Sequence, residues 1–529
     1  MNPLDSTNKV TLSTPAQHLV ERLTQGKQLD LEFTEFGTTL RPIAQLYERL
    51  RYLLNYQEQH LLRRQALERI LRRYLSSKHE PQKVAELIAQ ELVWAKYIAG
   101  NEVPQRILLS VANSIFKYRA LLSAIPPSQW QEYTRWLLGL ASTEVEEKFF
   151  PSPARSGTAE LLTEVMTTRL VCAEKSDLDW DTQLYVAAQR ALNRADATTI
   201  QYHLIARSLP QFAEATPLAI QKLAERLPQL QQKLNEAVNN PLSSKLANFL
   251  QRFVPPFIIL RDFIETEKDA APEHLYNRTY LSTQARLLSS ERYRLTSKRL
   301  RNGAIRSIIY VFLTKVVLAL AIELPFDQYV RHSFQIFQLG VNIFFPPLFM
   351  FVITLFLHAP GETNTDKILH SLHEALYTEP AASPPIHLKS KKTSRTLVVI
   401  FMLIYTIAFV ASFGLLSYLL WTLHFSMLSG MIFVFILCLV TFFGFRLRNT
   451  ARELVMAKER PSLLTSLVDF FALPFLKAGH WLTSKFQKIN IFLFFFDYVL
   501  EAPLKTIISV LEQWTSFVRE KKEEIQQSE

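Results

Sequence analysis

The stretch "YVFLTKVVLALAIEL", residues 310–324, places a single lysine, Lys315, in the middle of an apolar run. If this run crosses a membrane, the basic residues before it lie on one side together with five basic residues in 358–395 and five in 446–460. Basic residues concentrate on the cytoplasmic side of membrane proteins, so this distribution favours a spanning segment. We therefore predict four spans, each long enough for a hydrocarbon core of about 30 Å, at 305–323, 334–357, 396–421 and 427–445.

A lysine at this depth needs a partner. Lys315 lies eight residues from Glu323 and nine from Arg306, or about 12 to 14 Å along the helix. Extension of the side chain toward water covers only part of that distance. An internal partner for Lys315 is therefore expected.

The second span offers such a partner. Pro346 and Pro347 have no backbone N–H, so the carbonyl groups four residues earlier, beginning with Asn342, lack their usual donors. We expect Lys315 to donate to the Asn342 side chain and to these carbonyl groups, which would join the first two spans. The alternative is an ion or solute site at a broken helix, as in some transporters.

The composition indicates an all-α protein. Twelve glycines in 529 residues are few for strands joined by tight turns, whereas helix-forming residues are abundant. The two cysteines and the absence of a signal-peptide pattern predict a reducing, cytoplasmic location for the first half. We predict the following organisation: an irregular segment at 1–40, a cytoplasmic helical domain at 41–280 with a possible sub-boundary near 149–160, a basic juxtamembrane helix at 281–304, four transmembrane helices within 305–445, and membrane-surface amphipathic helices with a charged tail at 446–529.

A basic run precedes the first span, with seven basic residues and one acid between Arg286 and Arg306. Its position beside an apolar run favours anionic lipid head groups as partners, and no nucleic acid is expected. The residues expected to contact head groups are Arg292, Arg294, Lys298, Arg299, Arg301 and Arg306.

Chemical motifs are scarce. His370 and His373 in "HSLHEAL" have a spacing that could hold a metal, but a solvated loop helix is the simpler interpretation. His480, Asp497 and Glu501 are weak interfacial candidates for acid–base chemistry, and capping or pairing with nearby lysines explains them equally well. We predict no catalytic residues, cofactor or metal.

Three stretches carry a family resemblance: "NIFFPPLFMF", "FFGFRLRNTARELV" and "SLVDFFALPFLKAGHWLTSKFQKINIFLFFFDYVLEAPLK". They resemble an uncharacterised family of multispanning membrane proteins from reduced-genome bacteria of the candidate phyla. The resemblance covers residues 300–525 best and implies no particular activity.

Three functions are compatible with these patterns. The first is a scaffold in the cytoplasmic membrane, with both termini inside, whose helical domain recruits a protein partner. The second is a transporter or channel subunit that uses the region of Lys315 and Asn342. The third is a membrane enzyme acting on lipid at the inner interface.

Overall fold

The fold is almost entirely helical, which confirms the predicted all-α class. It is known from a computed structural model, and four short strands are its only extended elements among the described residues. The structure describes residues 10–24, 32–36, 59–125, 130–172, 179–209, 212, 217–329, 336–355, 361–388, 395–451, 454–456 and 463–488.

The N-terminal half consists of short helices, several of which begin at a proline whose missing N–H costs nothing in a first turn. The helices are α1 (Thr14–Thr24), α2 (Gln59–Tyr74), α3 (Pro81–Trp94), α4 (Gln105–Ser123), α5 (Trp130–Phe149), α6 (Pro153–Arg169), α7 (Trp180–Leu192), α8 (Ala197–Ser208), α9 (Pro217–Asn239), α10 (Pro241–Leu250), α11 (Val254–Glu267) and α12 (Ala271–His274). The strands are β1 (Phe33–Glu35), β2 (Glu102–Pro104), β3 (Leu170–Cys172) and, far along the chain, β4 (Ile386–Leu388).

The C-terminal half consists of longer helices. They are α13 (Arg278–Leu318), which continues through a π-helical turn (Ala319–Glu323) into α14 (Leu324–Tyr329), α15 (Ile336–Leu355), α16 (Glu362–Tyr377), α17 (Arg395–Thr422), α18 (Met427–Ala451) and α19 (Leu463–Lys488).

Two hydrophobic cores organise the N-terminal half. The first joins α2 to α5 with α8 and α9, and the second joins α1, α6, α10 and α11. The change of core falls between Phe149, in the first, and Ala154, in the second, where the sequence suggests a sub-boundary. Helix α7 nevertheless contributes to both, because Val186 faces the first core and Ala187 the second. The two cores are therefore adjacent and are joined by helix α7.

The prediction that residues 1–40 are irregular is wrong for α1, which is a helix packed on α6. Ala16 and Leu19 are buried in the second core, and Leu19 occupies the space above Gly157 that a Cβ would fill. The apolar face of this helix is short, and docking on α6 stabilises it more than its own propensity does.

Four helices are long and apolar enough to cross a membrane, as predicted: Arg278–Phe326, Phe337–Leu355, Thr396–Thr422 and Met427–Arg448. The first is one continuous helix, so the division predicted at residue 304 is not a structural break. Asn277 begins it by accepting a hydrogen bond from the Tyr280 backbone N–H at 3.0 Å. Helices α13, α15 and α18 pack around Val311, Met350 and Val440.

Helix α16, between the second and third candidate spans, belongs to the second core through Ile368, Leu369, Leu372 and Leu376. The interpretation as a solvated loop helix is therefore wrong. Strand β4, which follows α16, pairs in parallel with β3, with Leu170 opposite Ile386. Residues distant in sequence thus complete the core of the N-terminal half.

Helix α19 does not have the predicted position at a membrane surface, because it contacts α17 and α18 near their middles. The Ser412 hydroxyl donates to the Phe471 carbonyl at 3.3 Å, and the rings of Phe413 and Phe475 lie 4.7 Å apart. A Cβ at Gly479 would lie 2.2 Å from the Cys438 carbonyl oxygen, so only glycine permits this approach. Phe475 of α19 therefore packs on the spans, whereas Phe470 and Phe471 are 38% and 48% exposed.

Candidate functional site

The polar group inside the candidate membrane region consists of Lys315, Glu323 and Asn342. Lys315 and Glu323 are fully buried, and Asn342 is 1% exposed. The Lys315 ammonium donates to Glu323 Oε1, and Asn342 Nδ2 donates to Glu323 Oε2 at 2.5 Å. The carboxylate of Glu323 therefore joins the first candidate span to the second.

The π-helical turn explains how residues eight apart can meet. In a regular α-helix, eight residues make about 2.2 turns, which leaves the two side chains on different faces. The turn at Ala319–Glu323 is wider and accommodates an extra residue, so the helix comes closer to two full turns between Lys315 and Glu323. Both side chains then point to the same side of the helix, toward α15.

The expected bond from Lys315 to Asn342 is not the one formed, because Glu323 lies between them as the acceptor. In the sequence, Glu323 marks the end of the apolar run, and a regular helix would not direct its side chain inward. An acid within reach of a buried lysine on the same helix is the signal that could have found it.

The side-chain oxygen of Asn342 is not used in this group. Pro346 and Pro347 are buried within α15, and the helix continues across both. Asn342 Oδ1 is buried without a hydrogen-bond partner among the described residues. The group therefore offers an acceptor that is directed into the interior.

The group lies near one end of the helical bundle. Gln338, one turn before Asn342, donates to the carbonyl groups of Leu423 and His424 at 2.8 Å, in the connection between α17 and α18. Asn342 is thus about 6 Å further along α15 than this connection. Glu323 and the tip of Lys315 share that level.

The six basic residues predicted to meet lipid divide into two sets. Arg292 pairs with Asp262 of α11, with Nη2 to Oδ1 at 2.6 Å, and Arg294 pairs with Glu291 at 2.6 Å. The other four are exposed on α13: Lys298, Arg299, Arg301 and Arg306.

Of the weak interfacial candidates, His480 lies on α19 with its ring centroid 5.6 Å from that of Phe442. Asp497 and Glu501 lie outside the described residues. The structure therefore does not test their grouping.

His373 of α16 faces Ser282 of α13, with Nε2 and the hydroxyl oxygen 2.9 Å apart. An Arg278 guanidinium N–H lies 3.4 Å from Nδ1 of the same ring, so Nδ1 accepts and Nε2 carries the proton. The Ser282 hydroxyl in turn donates to the Arg278 carbonyl at 2.7 Å. Burial and Arg278 both lower the pKa of His373. In this tautomer His373 cannot take a proton from Ser282, so the pair is structural.

No group of three His, Cys, Asp or Glu side chains among the described residues is placed to hold a metal.

A second buried ionic group, which the sequence patterns do not predict, is centred on Glu144 of α5. Lys117 of α4 donates to Glu144 Oε2 at 2.6 Å and to the Phe212 carbonyl at 2.9 Å. The hydroxyls of Ser114 and Tyr118 donate to the same carboxylate at 2.6 and 3.0 Å. Burial by itself would raise the pKa of Glu144, but the lysines beside it hold that pKa below the usual value. The detectable signal was Ser114 and Lys117 on the otherwise apolar face of α4.

No family model, curated protein or solved structure matches this chain.

Proposed function

We propose that this protein is a membrane-anchored helical scaffold that holds its N-terminal half at the cytoplasmic face and presents it to a protein partner. The observation that carries this proposal is the second core, which combines the N-terminal half with two later segments. These are α16, between the second and third candidate spans, and residues 454–456, after the fourth.

Hydrogen bonds between distant segments support this arrangement. The Ser13 N–H donates to the Leu376 carbonyl at 2.7 Å. Asn364 Nδ2 donates to the Leu454 carbonyl at 2.7 Å, and the Met456 N–H donates to Asn364 Oδ1 at 2.9 Å. The chain therefore returns to the N-terminal half after two candidate spans and again after four. Four crossings in two pairs account for both returns, whereas three crossings would separate residues that are in contact.

The charge pattern supports a cytoplasmic position for this shared side, because the exposed basic residues of α13 and both basic loops belong to it. Anionic lipids are the proposed partners of Lys298, Arg299, Arg301 and Arg306. Membership in the family named above stays a prediction, as does the location in the cytoplasmic membrane.

Topology can be tested by single-cysteine labelling in intact spheroplasts with a membrane-impermeant maleimide. In a background of Cys172→Ser and Cys438→Ala, we expect labelling of His424→Cys, between α17 and α18. Glu362→Cys, at the start of α16, should label only after lysis. Labelling of Glu362→Cys in intact spheroplasts would overturn the layout, and a reversed pattern would place the domain outside.

The scaffold role can be tested by site-specific photocrosslinking in cells. Leu109 and Phe116 lie seven residues apart on α4 and are 47% and 48% exposed, so they present an apolar stripe on the N-terminal half. A photoreactive residue at either position should give a discrete crosslinked protein band. Arg226, exposed on α9, is the matched control position and should not. The same bands from the control position, or none from the stripe, would contradict recruitment through this surface.

A second candidate function is transport, and the unpartnered Asn342 Oδ1 beside Glu323 is the observation that favours it. Together they could supply oxygen ligands for a cation or proton. In proteoliposomes this predicts cation or proton flux that Glu323→Gln abolishes. Equal flux in the variant and the original protein would exclude this group as the pathway.

A further inference from the structure

A groove on the surface of the N-terminal half lies between α5 and α9 and holds about 520 Å³. Tyr133 of α5 forms one side, and two rows of α9 side chains form the other. Within each row the residues are four apart, so they are neighbours on the helix surface. The α9 residues that line the groove are Pro228, Gln232 and Glu236 in one row and Gln231, Asn235 and Asn239 in the other. Side-chain amides therefore dominate this wall of the groove.

A chain of three hydrogen-bonded side chains fixes the orientation of the Asn235 amide. The indole N–H of Trp136 on α5 donates to Gln201 Oε1 of α8 at 2.9 Å, and Gln201 Nε2 donates to Asn235 Oδ1 at 2.8 Å. An indole N–H can only donate, so Gln201 must present its oxygen to Trp136 and its NH₂ group to Asn235. Asn235 therefore keeps its oxygen on Gln201, and its NH₂ group is left for a ligand in the groove.

The amides on either side of Asn235 in its row are also available to a ligand. Among the described residues, the side chains of Gln231 and Asn239 have no hydrogen-bond partner. Gln232, in the other row, differs because its Nε2 donates to Glu236 Oε1 at 2.8 Å. The row that contains Asn235 thus presents three amides to the groove at intervals of about 6 Å along α9.

The spacing of this row matches that of an extended polypeptide. Alternate residues of an extended chain are about 6.6 to 6.8 Å apart, compared with about 6 Å for residues four apart on an α-helix. Over the two steps of the row the difference adds up to about 1.2 to 1.6 Å, which the rotatable side chains can follow. A primary amide carries both donors and an acceptor, as a backbone peptide group does. Each position of the row can therefore bond to the backbone of a peptide that lies along α9.

The remaining lining groups argue against other classes of ligand. Among the described residues that line the groove, Glu236 carries a charge and none is Lys or Arg, so an anionic ligand lacks a counter-charge. Tyr133 is 8% exposed, so its ring offers little surface on which a sugar or a nucleic-acid base could stack. A peptide with a basic side chain near Glu236 is compatible with both features.

We infer that this groove binds an extended, basic peptide segment of a partner protein through the backbone of that segment. Asn235 donates to a carbonyl of the segment, and Gln231 and Asn239 bond to the peptide groups on either side. Glu236 pairs with a Lys or Arg side chain of the segment. The inference rests on the proposed scaffold function and deepens it, because it adds a linear segment to the partner's contact with the apolar stripe on α4.

The test uses the full-length protein in phosphatidylcholine nanodiscs, with which a phage-displayed library of random peptides is selected. The selected peptides should share a Lys or Arg at a fixed position. A synthetic selected peptide is then compared with two versions that are methylated at alternate backbone nitrogens, one at odd and one at even positions. Because successive N–H groups of an extended chain point to opposite sides, one version should bind at least about tenfold more weakly and the other like the parent peptide.

Variants of the protein test the same contacts from the other side. Asn235→Leu and Gln231→Leu should each weaken binding of the selected peptide at least about tenfold in calorimetric titration, because each leaves a peptide group of the ligand without a partner. Gln229 is an exposed amide on α9 outside the lining of the groove. Gln229→Leu is therefore the matched control and should bind the peptide like the unsubstituted protein.

Several outcomes would overturn the proposal. These are failure to select any peptide, equal affinity for the two methylated versions, and unchanged binding by Asn235→Leu and Gln231→Leu. Binding of an oligosaccharide from a glycan array, lost in Asn235→Leu, would overturn the assignment to a peptide.

The groove and the scaffold function can fail separately. Crosslinks from the α4 stripe without peptide binding would keep the scaffold function and remove the groove from it. Peptide binding with the expected variant effects, but without crosslinks from α4, would keep the groove and contradict recruitment through the stripe.

Discussion

The protein contains two buried lysine–glutamate pairs, Lys117–Glu144 in the N-terminal half and Lys315–Glu323 in the candidate membrane region. In each pair the charges are removed from water, but the additional hydrogen-bond donors to the carboxylate differ. Glu144 receives hydrogen bonds from two hydroxyl groups as well as from Lys117, and these donors lie on a neighbouring helix. Glu323 accepts one additional hydrogen bond, from the side-chain amide of Asn342. Both members of the membrane pair also lie on one continuous helix.

The difference concerns how each pair contributes to the fold. The charges of Lys117 and Glu144 connect α4 to α5, so the ionic interaction itself holds two helices together. The charges of Lys315 and Glu323 neutralise each other within one helix, and the polar connection to α15 depends on the single amide of Asn342. A charged side chain in hydrocarbon is costly unless an opposite charge lies beside it. Helices in a membrane, in contrast, associate through close packing and a few hydrogen bonds.

The largest expected effect is that of Glu144→Gln. The substitution leaves Lys117 buried without a counter-charge of comparable reach, which should lower the free energy of unfolding by about 3–5 kcal/mol. Thermal or denaturant unfolding measures the loss. Glu91→Gln is the control, because Glu91 pairs with Arg73 at the surface, where the Arg73 side chain is 40% exposed. This variant should lower the free energy of unfolding by less than about 1 kcal/mol. Similar losses in the two variants would contradict a special role for Glu144.

Lys315→Met should have the next largest effect, a loss of about 3 kcal/mol in nanodiscs, because Glu323 then keeps a buried charge with one amide donor. The double variant Lys315→Met/Glu323→Gln removes both charges and should recover much of the loss. Additive effects of the two substitutions would show that the side chains do not interact.

Asn342→Leu should have a smaller effect, about 1 kcal/mol, because it removes one interhelical hydrogen bond and leaves the ion pair intact. If Asn342 is the polar connection between the two helices, the variant should also show faster proteolysis at the connection between α14 and α15. Asn364→Leu, which removes the contact to Leu454 on the opposite side of the bundle, is the comparison. A larger loss for Asn342→Leu than for Lys315→Met would reverse the proposed order.

Mild acid should have the smallest effect. The pKa of Glu144 is held below its usual value of 4.5, so its contribution is fully present above about that pH and is lost as the pH falls through the lower, folded-state value. Unfolding midpoints measured from pH 7 to pH 3 should therefore stay level and then fall below about pH 4.5. The fall should be shallower in Glu144→Gln, and an identical profile would assign it to other carboxylates.

Some of the fold follows from local pattern. The four apolar helices were predictable within a few residues, except that the first begins at Arg278, because hydropathy over about 20 residues is a property of contiguous sequence. Lys315 was identifiable for the same reason, as a charge in an apolar window. The N-terminal turn of α13 at Asn277 likewise agrees with simple capping preference.

Other parts depend on distant residues. Helix α1 has only 11 residues, and contacts near Gly157 and at the Leu376 carbonyl, more than 100 and 300 residues away along the chain, determine its position. The close packing of α19 requires Gly479 to meet a carbonyl of α18, which no periodicity within α19 reveals.

The sequence by itself determines the helix content, the number of apolar segments and the presence of a charge within one of them. Each of these features follows from the chemistry of a short window of neighbouring residues. The partner of that charge, the joint core of the N-terminal half with α16 and residues 454–456, and the position of α19 arise only when the helices pack. A hydrogen bond or a buried contact depends on distances of a few ångströms between groups, and a small departure from helical regularity, such as the π-turn before Leu324, changes which groups those are.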